Sequence, residues 1–181
     1  MAKSNHVRIV GGAWRSRLLP FPDVPGLRPT PDRVRETLFN WLGQLMDGKV
    51  CLDLFSGSGA LGFEALSRGA RRVVMVERDA KVAHALRSNA ATLNAENCEL
   101  VVADALKFLD RETRRFDIIF VDPPYDLHLL PRVLPKLLAR LSDDGMVYAE
   151  SDTALEVGPE WQVWRSGSAG QVHYYLLRKT S

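Results

Sequence analysis

Long apolar runs are missing from this chain. No stretch approaches the roughly 18 residues that a membrane-spanning helix needs. The opening residues, Met1-Ala2-Lys3-Ser4-Asn5-His6, lack the apolar centre of a secretory signal. Cysteine is scarce, with two among 181 residues. Cys51 and Cys98 lie in apolar, strand-like runs and read as buried thiols, which fits a reducing, cytoplasmic location. The four histidines, His6, His84, His128 and His173, are scattered without metal-ligand spacing, so no metal site is expected. Internal repeats and low-complexity tails are absent as well.

What is there belongs to an ordinary globular protein, 46% hydrophobic and 25% charged. The length suits one domain with a real core and a small extension. A net charge of +2 hides an asymmetry. Residues 1–35 carry Lys3, Arg8, Arg15, Arg17, Arg28, Arg33 and Arg35 against Asp23 and Asp32, so the remainder is net acidic. A basic head on an acidic body suits a polyanionic partner, and equally a solvated surface.

Residues 7–19 contain two short β-like runs around Gly11-Gly12, a hairpin signal. Arg8, Arg15 and Arg17 would decorate that hairpin with Trp14 between them. Such a set suits phosphate contacts and base stacking, while Trp14 could also simply pack the hairpin on the body. Residues 20–31 hold Pro20, Pro22, Pro25, Pro29 and Pro31, an extended linker. Thr30 then looks like an N-cap with Pro31 at the first helical position. The expected helix runs to about Met46, with Val34, Leu38, Trp41, Leu42 and Leu45 as its apolar stripe. Arg33, Glu36 and Asn40 share another face, which is either solvated or lines a site, the second reading being slightly favoured.

Beyond residue 49 strand and helix alternate. Strands are expected at Val50–Leu54, Arg72–Glu77, Cys98–Val102, Phe116–Val121, Met146–Glu150, Gln162–Arg165 and Val172–Leu177. Helices are expected at Ala60–Arg68, Ala80–Asn94, after Asp104, and at Leu129–Leu141. The fold class is therefore α/β: a seven-stranded, mostly parallel sheet with helices on both faces, whose last two strands form an antiparallel pair. The expected division is a hairpin and proline-rich extension over residues 1–30 and a main domain over 31–181.

Gly57, Gly59 and Gly62 fit G-x-G-x-x-G between the first strand and its helix, a nucleotide-site hint. Phe55 and Ser56 lead into that turn. Glu77, twenty residues after Gly57 at the end of the second strand, can bind ribose hydroxyls, with Arg78 beside it. NAD and S-adenosylmethionine both fit this much. Asp53 favours the second, because a carboxylate beside the glycine turn repels a pyrophosphate and suits a cationic ammonium. Asp104 could accept from an adenine amine beside the Ala105 backbone, or could cap the next helix.

Phe120-Val121-Asp122-Pro123-Pro124-Tyr125 closes the fourth strand. An exocyclic amine on a nucleobase is a poor nucleophile, because its lone pair is delocalised into the ring. Two acceptors, the Asp122 carboxylate and the Pro123 carbonyl, can hold its hydrogens and turn the lone pair toward a methyl donor. Tyr125 can stack on an extruded base. A tight turn with a surface tyrosine is the bland alternative.

These residues resemble the bacterial RsmD family of small-subunit rRNA guanine-N2 methyltransferases. The resemblance rests on Arg8–Arg17, Leu27–Leu42, Phe55–Gly62, Phe120–Tyr125 and Ala169–Val172, and spans nearly the whole chain. Tyr125 stands where a phenylalanine is also found, and Ser56 where alanine is common. The resemblance implies a Rossmann-like methyltransferase domain that uses S-adenosylmethionine. It implies transfer to the guanine numbered 966 of 16S rRNA, within the small ribosomal subunit or its assembly intermediate. Asp122, Pro123 and Tyr125 would be catalytic. Asp53, Phe55, Ser56, Gly57, Gly59, Glu77, Arg78, Asp104, Ala105 and Asp122 would hold the cofactor. Arg8, Trp14, Arg15, Arg17, Arg28 and Arg33 would touch RNA. A DNA adenine or cytosine amino-methyltransferase, and a non-catalytic ribosome assembly factor, are the competing readings.

Overall fold

The computed structural model describes residues 5–181. Lys3, counted above with the basic head, lies outside them. The chain opens with two short strands, β1 (Asn5–Arg8) and β2 (Leu18–Phe21), which pair antiparallel. A single α-helix, α1 (Asp32–Trp41), follows. The alternating body contains β3 (Val50–Asp53), α2 (Ala60–Ser67), β4 (Arg72–Glu77), α3 (Ala80–Thr92), β5 (Cys98–Val102), α4 (Ala105–Arg111), β6 (Phe116–Val121), α5 (Leu130–Leu137), β7 (Leu141–Ser151), β8 (Trp161–Ala169) and β9 (Val172–Lys179). Among the described residues no helix is long and apolar enough to cross a membrane.

Strands β3 to β9 form one sheet in the order β5-β4-β3-β6-β7-β9-β8. The first five run parallel, and β9 lies antiparallel to both β7 and β8. The expected seven strands and the reversed pair are all present. The order reverses between β3 and β6, because the chain first winds outward through β4 and β5 and then returns to the other side of β3. Ligands in open α/β sheets bind in the crevice at that reversal, outside the carboxyl ends of the strands.

Side chains alternate across each strand, which sorts the core into two layers. Cys51, Val73, Met75, Ile118, Phe120, Tyr148 and Leu176 face one side, with α1, α2, α3 and the β1–β2 hairpin. Leu52, Val74, Val76, Ile119, Val121, Val147, Ala149 and Leu177 face the other, with α4 and α5. Val7, Ile9 and Leu19 are buried in the first layer, so the hairpin shares the main core.

Five local expectations are corrected. The hairpin does not turn at Gly11-Gly12. Its strands are joined by residues 9–17, and Gly12 lies instead against the end of α2, where Ala13 N–H donates to the Ser67 carbonyl at 2.7 Å. Gly12 has φ +82°, and an added Cβ would stand 2.0 Å from the Ser67 carbonyl oxygen, so no larger residue fits. Helix α1 stops at Trp41 rather than near Met46. Gly43 and Gln44 take positive φ, the chain reverses, and Leu45 is left exposed while Trp41 and Leu42 are half-buried. Thr30 does not cap α1; Pro31 occupies the cap position without a side-chain bond, and Thr30 is turned inward. Strand β7 begins at Leu141, five residues early, because it pairs with β6 from Phe116 onward across a register shift. Cys98 is half-buried rather than buried; both thiols are free.

Candidate active site

Three carboxylates stand on three neighbouring strands. Asp53 ends β3, Asp122 follows β6, and Glu150 lies near the end of β7. The parallel register pairs Asp53 with Phe120 and Phe120 with Tyr148, so Asp122 and Glu150 are level, each two residues further on. Two-residue periodicity places all three on the α1 side of the sheet, at the reversal of strand order. Thr30, immediately before α1, closes the group from above.

Glu150 is the hub of the cluster. It is 3% exposed. Its Oε1 accepts from the Tyr148 hydroxyl at 2.5 Å and from Thr30 Oγ1 at 2.8 Å. Its Oε2 accepts a long bond from the Tyr125 hydroxyl at 3.4 Å. The Asp122 carboxyl is pushed well above the usual carboxylate range. Lost solvation is the largest cause, although part of the residue still reaches the surface; the neighbouring Glu150 charge and a hydrogen bond with Glu150 come next. Burial also raises the Tyr148 and Tyr125 hydroxyls, which keeps both as neutral donors. Pro123 is buried and Pro124 exposed, so the turn after Asp122 is held at its base.

Asp53 is 1% exposed. Its Oδ2 accepts the Gly62 N–H at 3.0 Å, tying the strand end to the first turn of α2. Burial pushes its carboxyl up to about 7, opposed by the Gly62 bond. Ser56 is buried and folds back, its hydroxyl donating to the Asp53 carbonyl at 2.9 Å. Phe55 is half-buried against the α4–α5 layer. Gly59 precedes α2 with φ +83°, and a Cβ there would meet the Phe63 ring at 2.6 Å, so only glycine admits this turn. Glu77 bridges two turns: its Oε2 accepts from Gly57 N–H at 3.0 Å and its Oε1 from Asp79 N–H at 3.1 Å.

Asp104 caps α4. Its Oδ1 accepts from Leu106 N–H at 3.1 Å and Lys107 N–H at 3.2 Å. It also lines a cleft of about 480 Å³ with Arg78, Leu106, Leu127, Leu129 and Arg132. Ala105 is buried as the first residue of α4 and is not among the residues lining that cleft. The structure thus brings Arg78 and Asp104 to one cleft, beside the turn that holds Glu77.

The six basic and aromatic candidates do not gather at one point. Arg8 pairs with Asp32 at 2.8 Å in the first turn of α1. Arg28 and Arg33 are exposed near that end. Arg15 lies beyond the other end, where it shares a cleft of about 670 Å³ with Glu36, Asn40 and Gln44. Ten residues at the α-helical rise separate these ends by about 15 Å. Arg17 is exposed, and Trp14 is half-buried against the core with its backbone N–H donating to Ser67 Oγ at 2.9 Å. Glu36 and Asn40 therefore line a cleft, but one that does not include Asp122. Gln171 is exposed in the β8–β9 turn.

Sequence reasoning missed Thr30, Tyr148, Glu150 and a buried anchor. The signal for Glu150 was available: like Asp53, Glu77 and Asp122, it is an acid ending an apolar strand. The anchor is Glu64, fully buried on α2, which accepts from Val10 N–H and Gly11 N–H, each at 2.9 Å. Arg35 Nη1 and Arg68 Nε also donate to it, each at 2.9 Å. Arg35 further donates to the Arg8 carbonyl at 2.7 Å and the Thr30 carbonyl at 3.0 Å. Burial draws the Arg35 guanidinium down, against the pull of Glu64 and Asp32. One ion pair thus fastens the hairpin and the segment bearing Thr30 to α2.

The family model described as "Conserved hypothetical protein 95" matches residues 7–178. The ribosomal RNA small subunit methyltransferase D of Escherichia coli K12 is 46% identical, over 99% of this chain and 96% of its own length. The protein of the same name from Haemophilus influenzae is 40% identical over 95% of this chain and 93% of its own. The solved structure of Escherichia coli yhhF superposes with a TM-score of 0.88 at 45% identity, covering 97% of this chain and 98% of the other. With a model matching almost end to end and relatives this similar over their full length, the chain belongs to the RsmD family of methyltransferases.

Proposed function

We propose that this protein transfers a methyl group from S-adenosylmethionine to the exocyclic N2 amine of a guanine in 16S rRNA, guanine 966 in the family's pattern, within the small ribosomal subunit or its assembly intermediate. The observation that carries the reading is the position of Asp122 and the buried Pro123 on the carboxyl edge of the sheet, beside the glycine turn at the strand reversal.

The chain's own residues fit the donor. The turn at Gly57 and Gly59 takes positive φ and packs against Leu27, Phe63 and Leu86, so only glycine brings the backbone round this tightly at the strand end. Glu77 already holds a backbone N–H of that turn and offers the carboxylate that ribose hydroxyls require. Arg78, Asp104 and Leu106 line a cleft in the size range of nucleoside sites. Asp104 keeps Oδ2 for an exocyclic amine while Oδ1 caps α4. When bound, the sulfonium supplies an electrophilic methyl group. Asp122 and the Pro123 carbonyl accept the two amine hydrogens, fix the nitrogen and stabilise the positive charge that develops on it. Tyr125, in the turn after the prolines, would stack on a base taken out of its helix or loop. Arg8, Arg28 and Arg33 at one end of α1, and Arg15, Arg17 and Trp14 at the hairpin loop, offer a long basic track to the phosphate backbone.

The relatives named for small-subunit rRNA, and the hairpin carried on the same core, support an RNA target over a DNA one. Labelled-methyl transfer tests this directly. Undermethylated 16S rRNA, small subunits lacking the modification and duplex DNA are each offered to the purified protein. Label should appear in N2-methylguanine of rRNA at one position. Label in DNA alone, or cofactor binding without transfer to any substrate, would overturn the reading.

A further inference from the structure

We infer that Glu150 is a positioning residue of the transfer site: it forms a carboxyl pair with Asp122, and the pair makes Asp122 the acceptor of the proton that the methylated amine releases. This rests on the methyltransferase reading above and deepens it.

The geometry supplies the pair. Asp122, the residue after β6, and Glu150, on the adjacent parallel strand β7, are level and fall on the same face. Glu150 acts on the Asp122 carboxyl through its charge and as a hydrogen-bonding neighbour. Glu150 is buried, and the Thr30, Tyr148 and Tyr125 hydroxyls all donate to it. Three donors from three segments hold its carboxyl group stationary beside Asp122. The other groups facing Asp122 are Asp53 from β3, the Thr30 hydroxyl from the segment before α1, and Tyr125 from its own turn, with Asp152 acting on Tyr125 from the end of β7. The Thr30 hydroxyl, whose hydrogen is on Glu150, favours the ionised form of the pair.

Two neighbouring carboxylates out of bulk water do not ionise independently; the charge on one raises the other's affinity for a proton. For Asp122 this has a chemical use. As the amine lone pair forms the N–C bond, the S–C bond of the sulfonium breaks and its electron pair stays on sulfur. The nitrogen is left with a positive charge and one hydrogen too many. Ionised Asp122, already holding that hydrogen, takes it as a proton, and the carboxyl pair relieves its own repulsion in the same step. The proton then leaves through the face of Asp122 that reaches solvent. An isolated surface aspartate would orient the amine equally well but would be a far weaker acceptor.

The test reads proton affinity as well as rate. Carboxyl-labelled aspartate, with the Asp122 signal assigned by its loss in Asp122→Asn, is titrated by NMR in the wild-type protein and in Glu150→Gln. The Asp122 midpoint should fall by roughly one pH unit or more when the neighbouring charge is removed. The acid limb of the single-turnover transfer rate should move down with it, and the plateau rate above the limb should fall about tenfold. Glu150→Asp, which keeps a carboxylate, should restore part of the shift. Thr30→Val should move the midpoint the opposite way, upward, and serves if Glu150→Gln does not fold. An unchanged Asp122 midpoint and an unchanged acid limb in an active Glu150→Gln protein, or no upward move in Thr30→Val, would overturn the pair. Absence of methyl transfer by the wild-type protein with a normal midpoint shift would instead overturn the reaction on which the role rests.

Discussion

Thr30 donates its hydroxyl hydrogen to Glu150 Oε1 at 2.8 Å, across 120 positions of sequence. The bond fastens the segment before α1 to the end of β7, and sets a basic, proline-rich entry strap directly over the Asp122 cluster. Thr30→Val removes the donor and keeps the shape. It should destabilise the fold by about 1–3 kcal/mol, since Glu150 is buried and keeps only the tyrosine donors. Denaturant unfolding would show a lower midpoint with an unchanged slope.

Asp122→Asn should lower the transfer rate by about a thousandfold or more while leaving cofactor affinity within a fewfold of wild type. The amide cannot accept the amine proton, and its own hydrogens compete for the Pro123 side of the site. Calorimetric titration with S-adenosylmethionine, paired with single-turnover transfer, separates the two effects. Equal loss of both would show that Asp122 holds the fold rather than the substrate.

Asp53 gives a pH dependence of stability. Its carboxyl is raised to about 7 by burial, so the folded state holds a proton that the unfolded state has already released between about pH 4 and 7. Its stabilising contribution is complete below the unfolded value and is lost as pH rises through about 7. Asp53→Asn removes this dependence. Relative to wild type, the variant should gain stability between pH 4 and 8, by about 4 kcal/mol at most. It should also bind S-adenosylmethionine more weakly, because the counter-charge is gone. Unfolding curves across that range, with no relative gain at high pH, would refute the ionisation of a buried Asp53.

Glu64→Ala should be the most damaging change outside the site. It strips the buried Arg35 of a full counter-charge and frees the N–H groups of Val10 and Gly11. Breaking a buried ion pair from one side costs about 3–5 kcal/mol. The hairpin and the Thr30 strap should loosen together, seen as parallel loss of amide-exchange protection over residues 7–19 and at Arg35.

Arg15→Ala with Arg17→Ala should weaken rRNA binding and flatten its dependence on salt. Two lost phosphate contacts correspond to a slope reduced by roughly one to two in log–log form. An unchanged slope would take the hairpin loop off the RNA track.

Much of the body was legible from local pattern. The runs 72–77, 98–102 and 116–121 are bounded as read, because apolar β-branched segments between breakers leave little choice. The glycine turn and the acids at strand ends were legible for the same reason: strand ends are visible in sequence, and ligands meet parallel sheets there. The first helix was overextended, because the stripe through Leu45 ignored the left-handed turn at Gly43 and Gln44. Gly11-Gly12 looked like a two-residue turn, yet its need for glycine comes from the Ser67 carbonyl, a neighbour 55 positions away. Thr30 carried every mark of an N-cap, and its hydroxyl was claimed instead by Glu150.

The sequence alone determined the alternation of strands and helices, the glycine turn and the carboxylates at its strand ends, because each follows from residues close together in the chain. Only the tertiary structure decided which carboxylates meet. Strand order placed β6 between β3 and β7, register made Asp122 and Glu150 level, and burial bound their charges together. Register and burial arise from pairing across more than twenty residues, and no local period encodes them.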